Sequence, residues 1–191
     1  MPRAPRLTTV KIPLPARRGL RVVVVADTHS KPHPDALQLI AAQRPDHILH
    51  AGDIGALSVL DPLAEVAPLT AVRGNIDDAS SYLPDVVTIH LETAGAIRSC
   101  WLLTHIAVRG PKLRGPILEL ARTERAELVV CGHSHVPLKI RDRGVAIFNP
   151  GSIGPRRFHL PITFGVIDVA QDGLRLTHIS CETGDAWTPP G

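Results

Sequence analysis

From Leu20 onward the chain alternates short runs of consecutive β-branched and aliphatic residues with longer, mixed segments. The run LRVVVVA at 20–26 carries apolar side chains at successive positions, without the alternation of a half-exposed strand. It predicts a strand covered on both faces. PDALQLIAAQ at 34–43 predicts a helix, with Pro34 in a first turn, Asp35 at the positive end of the dipole, and Leu37, Ile40 and Ala41 on one face. HILHA (47–51) is a second strand, 56–66 a helix that Pro62 should break or kink, and LTAVR (69–73) a third strand. DVVTIHL (85–91) and AIRSCWLLTH (96–105) predict paired strands, 112–126 a helix, and ELVVC (127–131) another strand. Two hairpins follow: PLKI and VAIF about RDRG (141–144), then ITFGVIDV and LRLTHIS about Gln171-Asp172-Gly173. A βαβαβ half followed by antiparallel strands reads as a layered α/β protein with mixed sheets.

Composition changes this picture only at the ends. The 191 residues suit one domain, and with three Phe, two Trp and one Tyr the core must be Val, Leu, Ile and Ala. No apolar run approaches the roughly 18 residues of a membrane-crossing helix. Cys100, Cys131 and Cys181 are odd in number and widely spaced, which argues against a disulfide framework, so a soluble cytoplasmic protein is expected. The net charge of +3 is unevenly spread. Arg3, Arg6, Lys11, Arg17, Arg18 and Arg21 carry it at the N-terminus, and the remainder is acidic on balance. Residues 1–19 are therefore expected to be a solvated, partly disordered basic leader, 20–182 the folded domain and 183–191 a tail without structure.

The polar residues that follow the apolar runs form a pattern. VVVVA is followed by Asp27 and His29, HILHAG by Asp53, TAVRG by Asn75, WLLT by His105, and LVVCG by His133 and His135. Ligands of parallel α/β sheets bind beyond the carboxyl ends of strands, so these residues should share one rim although they are far apart in sequence. Gly52, Gly74 and Gly132 each precede one of them, as expected where backbone turns sharply or approaches a ligand. Four imidazoles, two carboxylates and an amide are too many for one tetrahedral site. They suit two metals with a bridging carboxylate, and a donor set of nitrogen and oxygen suits Mn, Fe, Co, Zn or Ni rather than a structural cysteine-zinc site.

The order Asp27-Thr28-His29, Gly52-Asp53, Gly74-Asn75, His105 and Gly132-His133-Ser134-His135 resembles the calcineurin-like metallophosphoesterase superfamily, with its D-x-H, G-D, G-N, H and G-H-x-H motifs. The short chain and Asn149-Pro150-Gly151-Ser152 resemble its small phosphodiesterases of the YfcE type. The resemblance implies a four-layer αββα sandwich, two mixed sheets flanked by helices. It implies a dinuclear centre in which Asp27, His29 and His135 hold one divalent ion, Asn75, His105 and His133 the other, and Asp53 bridges. Manganese is the ion expected, with Fe, Zn, Co and Ni as alternatives. The implied activity is phosphodiester hydrolysis by activated water attacking phosphorus in line, with Asp53 and Asn75 in catalytic roles. Activity should fall in acid, because histidines must be neutral to ligate. Two positions depart from the family pattern: Ile76 stands where larger members have histidine, and Ile106 where glycine is usual. Arg156 and Arg157 are open as phosphate contacts or as an exposed basic turn. The expected substrate is a small phosphodiester. Nucleic acid and self-association stay open as partners, and no membrane partner is expected. A non-catalytic scaffold resembling the retromer subunit of this fold, and a nuclease using the basic leader, are the rival readings.

Overall fold

The computed structural model describes residues 4–15, 18–78, 81–171 and 173–189. In chain order the strands are β1 (Leu7–Pro13), β2 (Leu20–Val25), β3 (His47–His50), β4 (Leu69–Ala71), β5 (Val86–Thr93), β6 (Ala96–Thr104), β7 (Val108–Arg109), β8 (Lys112–Leu113), β9 (Leu128–Val130), β10 (Leu138–Asp142), β11 (Val145–Asn149), β12 (Thr163–Ala170), β13 (Gly173–Ser180) and β14 (Ala186–Trp187). The helices are α1 (Ala36–Ala42), α2 (Leu60–Val66) and α3 (Gly115–Thr123). Two six-stranded mixed sheets form, ordered β1-β5-β6-β9-β11-β10 and β14-β13-β12-β2-β3-β4.

Side-chain alternation assigns the layers. Val22 and Val24 join Leu49, Trp101, Leu103, Leu128, Val130 and Phe148 in the core between the sheets. Val23 and Val25 face the other way, packing with Ile40 of α1 and Leu63 of α2. On the second sheet, Leu102, Val129 and Ile147 pack outward with Leu118 and Ala121 of α3. Each central strand is thus buried on both faces, which is why its sequence is continuously apolar. The result is the expected helix–sheet–sheet–helix sandwich.

Several expected boundaries move. Pro62 does not break its helix: a 3-10 turn at Leu57–Val59 precedes α2, which places Pro62 in the first helical turn, where the missing N–H has no intrahelical partner to lose. The expected helix 112–126 begins later, because Lys112 and Leu113 form β8 paired with β7. In the last hairpin β12 pairs antiparallel with β13, and Asp172 of its turn lies outside the described residues.

Both chain ends correct the expected domain limits. Leu7–Pro13 is not a disordered leader but an edge strand in parallel register with β5, and Ile12 is buried in the inter-sheet core. Asp85 anchors its start by accepting from the Arg6 amide at 2.7 Å, and Lys11 pairs with Glu92 at 2.8 Å. Near the other end, Ala186 and Trp187 pair with β13. Among the described residues no helix is long and apolar enough to cross a membrane.

Candidate metal centre

β2, β3 and β4 run parallel in one sheet, and β6 and β9 run parallel in the other. Their carboxyl ends deliver all seven predicted residues to one rim. Backbone bonds tie neighbouring strand ends together within each sheet, and the bond from the His133 amide to the Asp27 carboxylate crosses from one sheet to the other. The Asp27 amide donates to the Gly52 carbonyl at 2.9 Å, the His29 amide to the Asp53 carbonyl at 3.0 Å, and the Gly132 amide to the His105 carbonyl at 3.0 Å. The His133 amide donates to the Asp27 carboxylate at 3.0 Å.

Two donor triads result. Asp27, His29 and His135 form one and Asp53, His105 and His133 the other, with ligand atoms within 4.8 Å of one another in each. Asp53 lies between them, Oδ1 being 3.1 Å from His105 Nε2 and Oδ2 3.7 Å from His29 Nε2. Asn75 Oδ1 is 3.0 Å from His105 Nε2 and 2.9 Å from His133 Nδ1. The backbone is strained at the same positions. Asp27, His29, Asp53, His133 and His135 all have φ between 46° and 72°, a region that side chains other than glycine rarely adopt. Gly74 is required for a different reason: a Cβ there would lie 2.1 Å from both the Asp53 amide and its Oδ1.

The donor chemistry fits divalent cations. His105 Nδ1–H donates to the Ala51 carbonyl at 2.8 Å, which turns the Nε2 lone pair toward Asp53 Oδ1 and Asn75 Oδ1. Those three groups are all acceptors, so either a proton on Nε2 or a cation must lie among them. In the other triad His29 Nε2 and His135 Nε2 are 3.4 Å apart, with Asp27 Oδ1 also 3.4 Å from His135 Nε2.

Electrostatics agree with this for His29, His133, His135 and Asp53, while Asp27 and His105 hold protons that an ion would displace. Burial, reinforced by the Arg157 and His29 charges, lowers His135 to about 4, and burial likewise lowers His29 and His133. These imidazoles are neutral, with lone pairs available. Burial alone would raise Asp53, but hydrogen bonds from His105 and the Ile76 amide, with the His105 charge, hold it at about 2. Burial lowers His105, yet the Asp53 hydrogen bond and the Asp27 and Asp53 charges outweigh it and raise it. Burial pushes Asp27 up to about 7 despite the opposing His105 charge.

A profile of the calcineurin-like phosphoesterase superfamily domain matches residues 20–172. The chain belongs to that superfamily. A probable metallophosphoesterase of Methanocaldococcus jannaschii, MJ0623, is 28% identical over 134 residues, covering 68% of this chain and 66% of the relative. A probable metallophosphoesterase of Methanothermobacter thermautotrophicus is 30% identical, covering 84% of this chain and 91% of its own length. Among solved structures, the phosphoesterase YfcE from E. coli is similar with a TM-score of 0.61 at 21% identity, covering 88% of this chain and 97% of that one. Vps29 from Entamoeba histolytica, solved in complex with zinc, has a TM-score of 0.69 at 20% identity, covering 88% and 96%. At such identities these likenesses describe the fold.

Further residues organise this metallophosphoesterase site. The buried Asp77 carboxylate accepts from the amides of Ile54 (3.0 Å), Gly55 (2.9 Å) and Gly74 (2.7 Å), tying the loops after β3 and β4 together. The Asn149 amide group donates to the Gly132 carbonyl at 2.7 Å, and Ser152 Oγ donates to the Asp27 carbonyl at 3.0 Å, which gives the NPGS turn its place beneath the site. His50, fully buried, holds Thr28 Oγ1 at 3.0 Å between the first two ligands. Ile76 uses its backbone N–H on Asp53 Oδ1 at 3.1 Å. The two arginines separate. Arg156 pairs with Glu182, whereas Arg157 brings a guanidinium nitrogen to 3.2 Å from His29 Nε2. Their sequence gives no hint of that division, because it depends on how the loop after Gly154 folds back over the rim.

Proposed function

We propose that the protein is a metal-dependent phosphodiesterase whose dinuclear centre is held by Asp27, His29 and His135 on one side and Asn75, His105 and His133 on the other, with Asp53 shared. The observation that carries this reading is the position of Asp53, one carboxylate oxygen toward each histidine triad. When bound, two divalent ions supply Lewis acidity for activating water and for neutralising charge that develops on phosphorus-bound oxygens. The chain's own groups do the rest. Neutral His29, His133 and His135 present lone pairs, and the Ala51 carbonyl fixes the His105 tautomer. Arg157, whose guanidinium reaches to 3.2 Å from His29 Nε2, binds a substrate phosphate oxygen, for which its fork of donors is suited.

The diester assignment rests on the rim. Ile76, Val136 and Phe158 are 47%, 41% and 89% exposed, and each directly follows a residue of the site: Asn75, His135 and Arg157. Exposed apolar side chains around a polar centre suit the second organic group of a diester better than the bare oxygens of a monoester. We place manganese first among the metals on the family resemblance; the main cluster's nitrogen and oxygen donors without thiolate suit it, and suit Fe, Co, Zn and Ni as well. A scaffold role needs none of the seven donors, and all seven are present. The test is hydrolysis of bis-p-nitrophenyl phosphate against p-nitrophenyl phosphate, with protein stripped of metal and then reloaded with Mn²⁺. Metal-dependent cleavage favouring the diester is expected. Cleavage of neither by metal-loaded protein would overturn the reading.

A further inference from the structure

A second cluster of donors lies away from the phosphoesterase rim. His90 on β5 and Cys100 on β6 are direct cross-strand partners, and Glu124 caps the carboxyl end of α3. Their faces follow from the layers already described. Ile89 and Leu91 point into the inter-sheet core, so His90 between them points outward. Cys100 lies in the cluster beneath α3. One nitrogen, one sulfur and one carboxylate oxygen from these three residues lie within 4.8 Å of one another. His105 is five residues beyond Cys100, about 16 Å at ordinary strand rise, so the two clusters are separate.

Three features distinguish this trio from a chance surface grouping. Among the described residues, no hydrogen bond or ion pair occupies the side chains of His90, Cys100 or Glu124, although the neighbouring Glu127 carboxylate is engaged by Ser99 Oγ at 2.9 Å. The donors therefore surround a common space rather than satisfying each other. Next, Glu124 lies at the negative end of the α3 dipole, where a carboxylate is disfavoured and a nearby cation would be favoured. Finally, the donors come from three elements, two strands and a helix, so an ion here would clip α3 onto the β5–β6 hairpin.

We propose that His90, Cys100 and Glu124 form a second, independent metal site that takes one borderline-soft divalent ion of the zinc class. Thiolate, imidazole and carboxylate together match Zn²⁺ and its analogue Co²⁺, and three protein ligands leave a fourth tetrahedral position for solvent. Hard ions such as Mn²⁺ and Mg²⁺ gain little from a thiolate, so the two sites should sort metals by type. In the absence of metal, burial and the Glu124 and Glu127 charges push the Cys100 thiol up to about 11. Binding displaces that proton to solvent, one per ion, and the thiolate takes its place.

Cobalt distinguishes this site from the rim, because only a cysteine ligand gives the intense near-ultraviolet thiolate-to-cobalt charge-transfer band. Titrating the metal-free full chain with Co²⁺ should develop that band until it saturates at the intensity of one cobalt–thiolate bond per chain, whatever further Co²⁺ the rim takes up. Cys100→Ser should abolish it while leaving Mn²⁺-dependent phosphoesterase activity unchanged, and Cys131→Ala should retain it. His90→Gln and Glu124→Gln keep the sulfur, and should each raise the Co²⁺ concentration for half-maximal absorbance at least tenfold. These two variants decide the matter if Cys100→Ser does not fold. No charge-transfer band in the wild-type titration, a band that survives Cys100→Ser, or unchanged titrations in both glutamine variants would overturn the proposal.

Discussion

At the scale of single residues, the rim is governed by which groups hold protons. Asp27 and His105 are the groups whose protons metal must displace: burial pushes the Asp27 carboxyl up to about 7, and the neighbouring carboxylates raise His105, while Asp53 is ionised far below neutrality. Metal affinity should therefore fall as pH drops below about 7, with proton release on binding, which isothermal titration in buffers of different ionisation enthalpy would read. A pH-independent affinity between 5.5 and 7.5 would contradict the Asp27 assignment. Arg157 makes a separate prediction. Removing a charge-assisted contact to phosphate costs about 1.5–3 kcal/mol, so Arg157→Ala should raise KM roughly ten- to a hundredfold, while Arg156→Ala changes it little. The seven donors were legible because each terminates an apolar run, and burial of a strand is written in its own residues. Arg157 and Asp77 were not, because what they contact is decided by loops from other parts of the chain.

At the scale of elements, the informative case is β1. Its flanks are rich in Arg and Pro, and that composition masked a period-two pattern in which Val10, Ile12 and Leu14 all contact the inter-sheet core. Pro13 is tolerated because an edge strand pairs on one side only. This strand matters to the site indirectly. Asp85, which holds the Arg6 amide, also accepts from Arg73 at 2.7 Å, just before Gly74 and Asn75. Ile12→Ala should thus destabilise the fold by about 2–4 kcal/mol in urea unfolding, as for other buried aliphatic truncations. A loss below about 0.5 kcal/mol, the range of surface substitutions, would mean the segment is a leader after all. The two-residue strands β7, β8 and β14 could not be read in advance. Such short pairings owe their existence to the surfaces they dock on rather than to local pattern.

At the scale of the whole molecule, burying a continuous apolar core between the sheets also buries histidines that must stay neutral. Burial holds His47 and His50 at about 4, well below the ordinary 6.5. Between pH 6.5 and 4 the unfolded chain binds more protons at these positions than the folded one, so stability falls as pH falls through that window. Asp27, held at about 7 when folded, works in the opposite direction, but His47, His50 and His135 at about 4 outweigh it. The urea midpoint of metal-free protein should therefore drop from pH 6.5 to 4, and His47→Gln should flatten the slope. The layered architecture was legible because alternation within continuously apolar strands specifies two covered faces, and the same architecture brings strand ends of both sheets to one rim. The central claim is that this rim holds two ions sharing Asp53. Electron paramagnetic resonance of Mn²⁺-loaded protein tests it most directly. Two spin-coupled ions per chain are expected, with coupling lost in Asp53→Asn; a single uncoupled ion, or coupling that survives Asp53→Asn, would contradict the account.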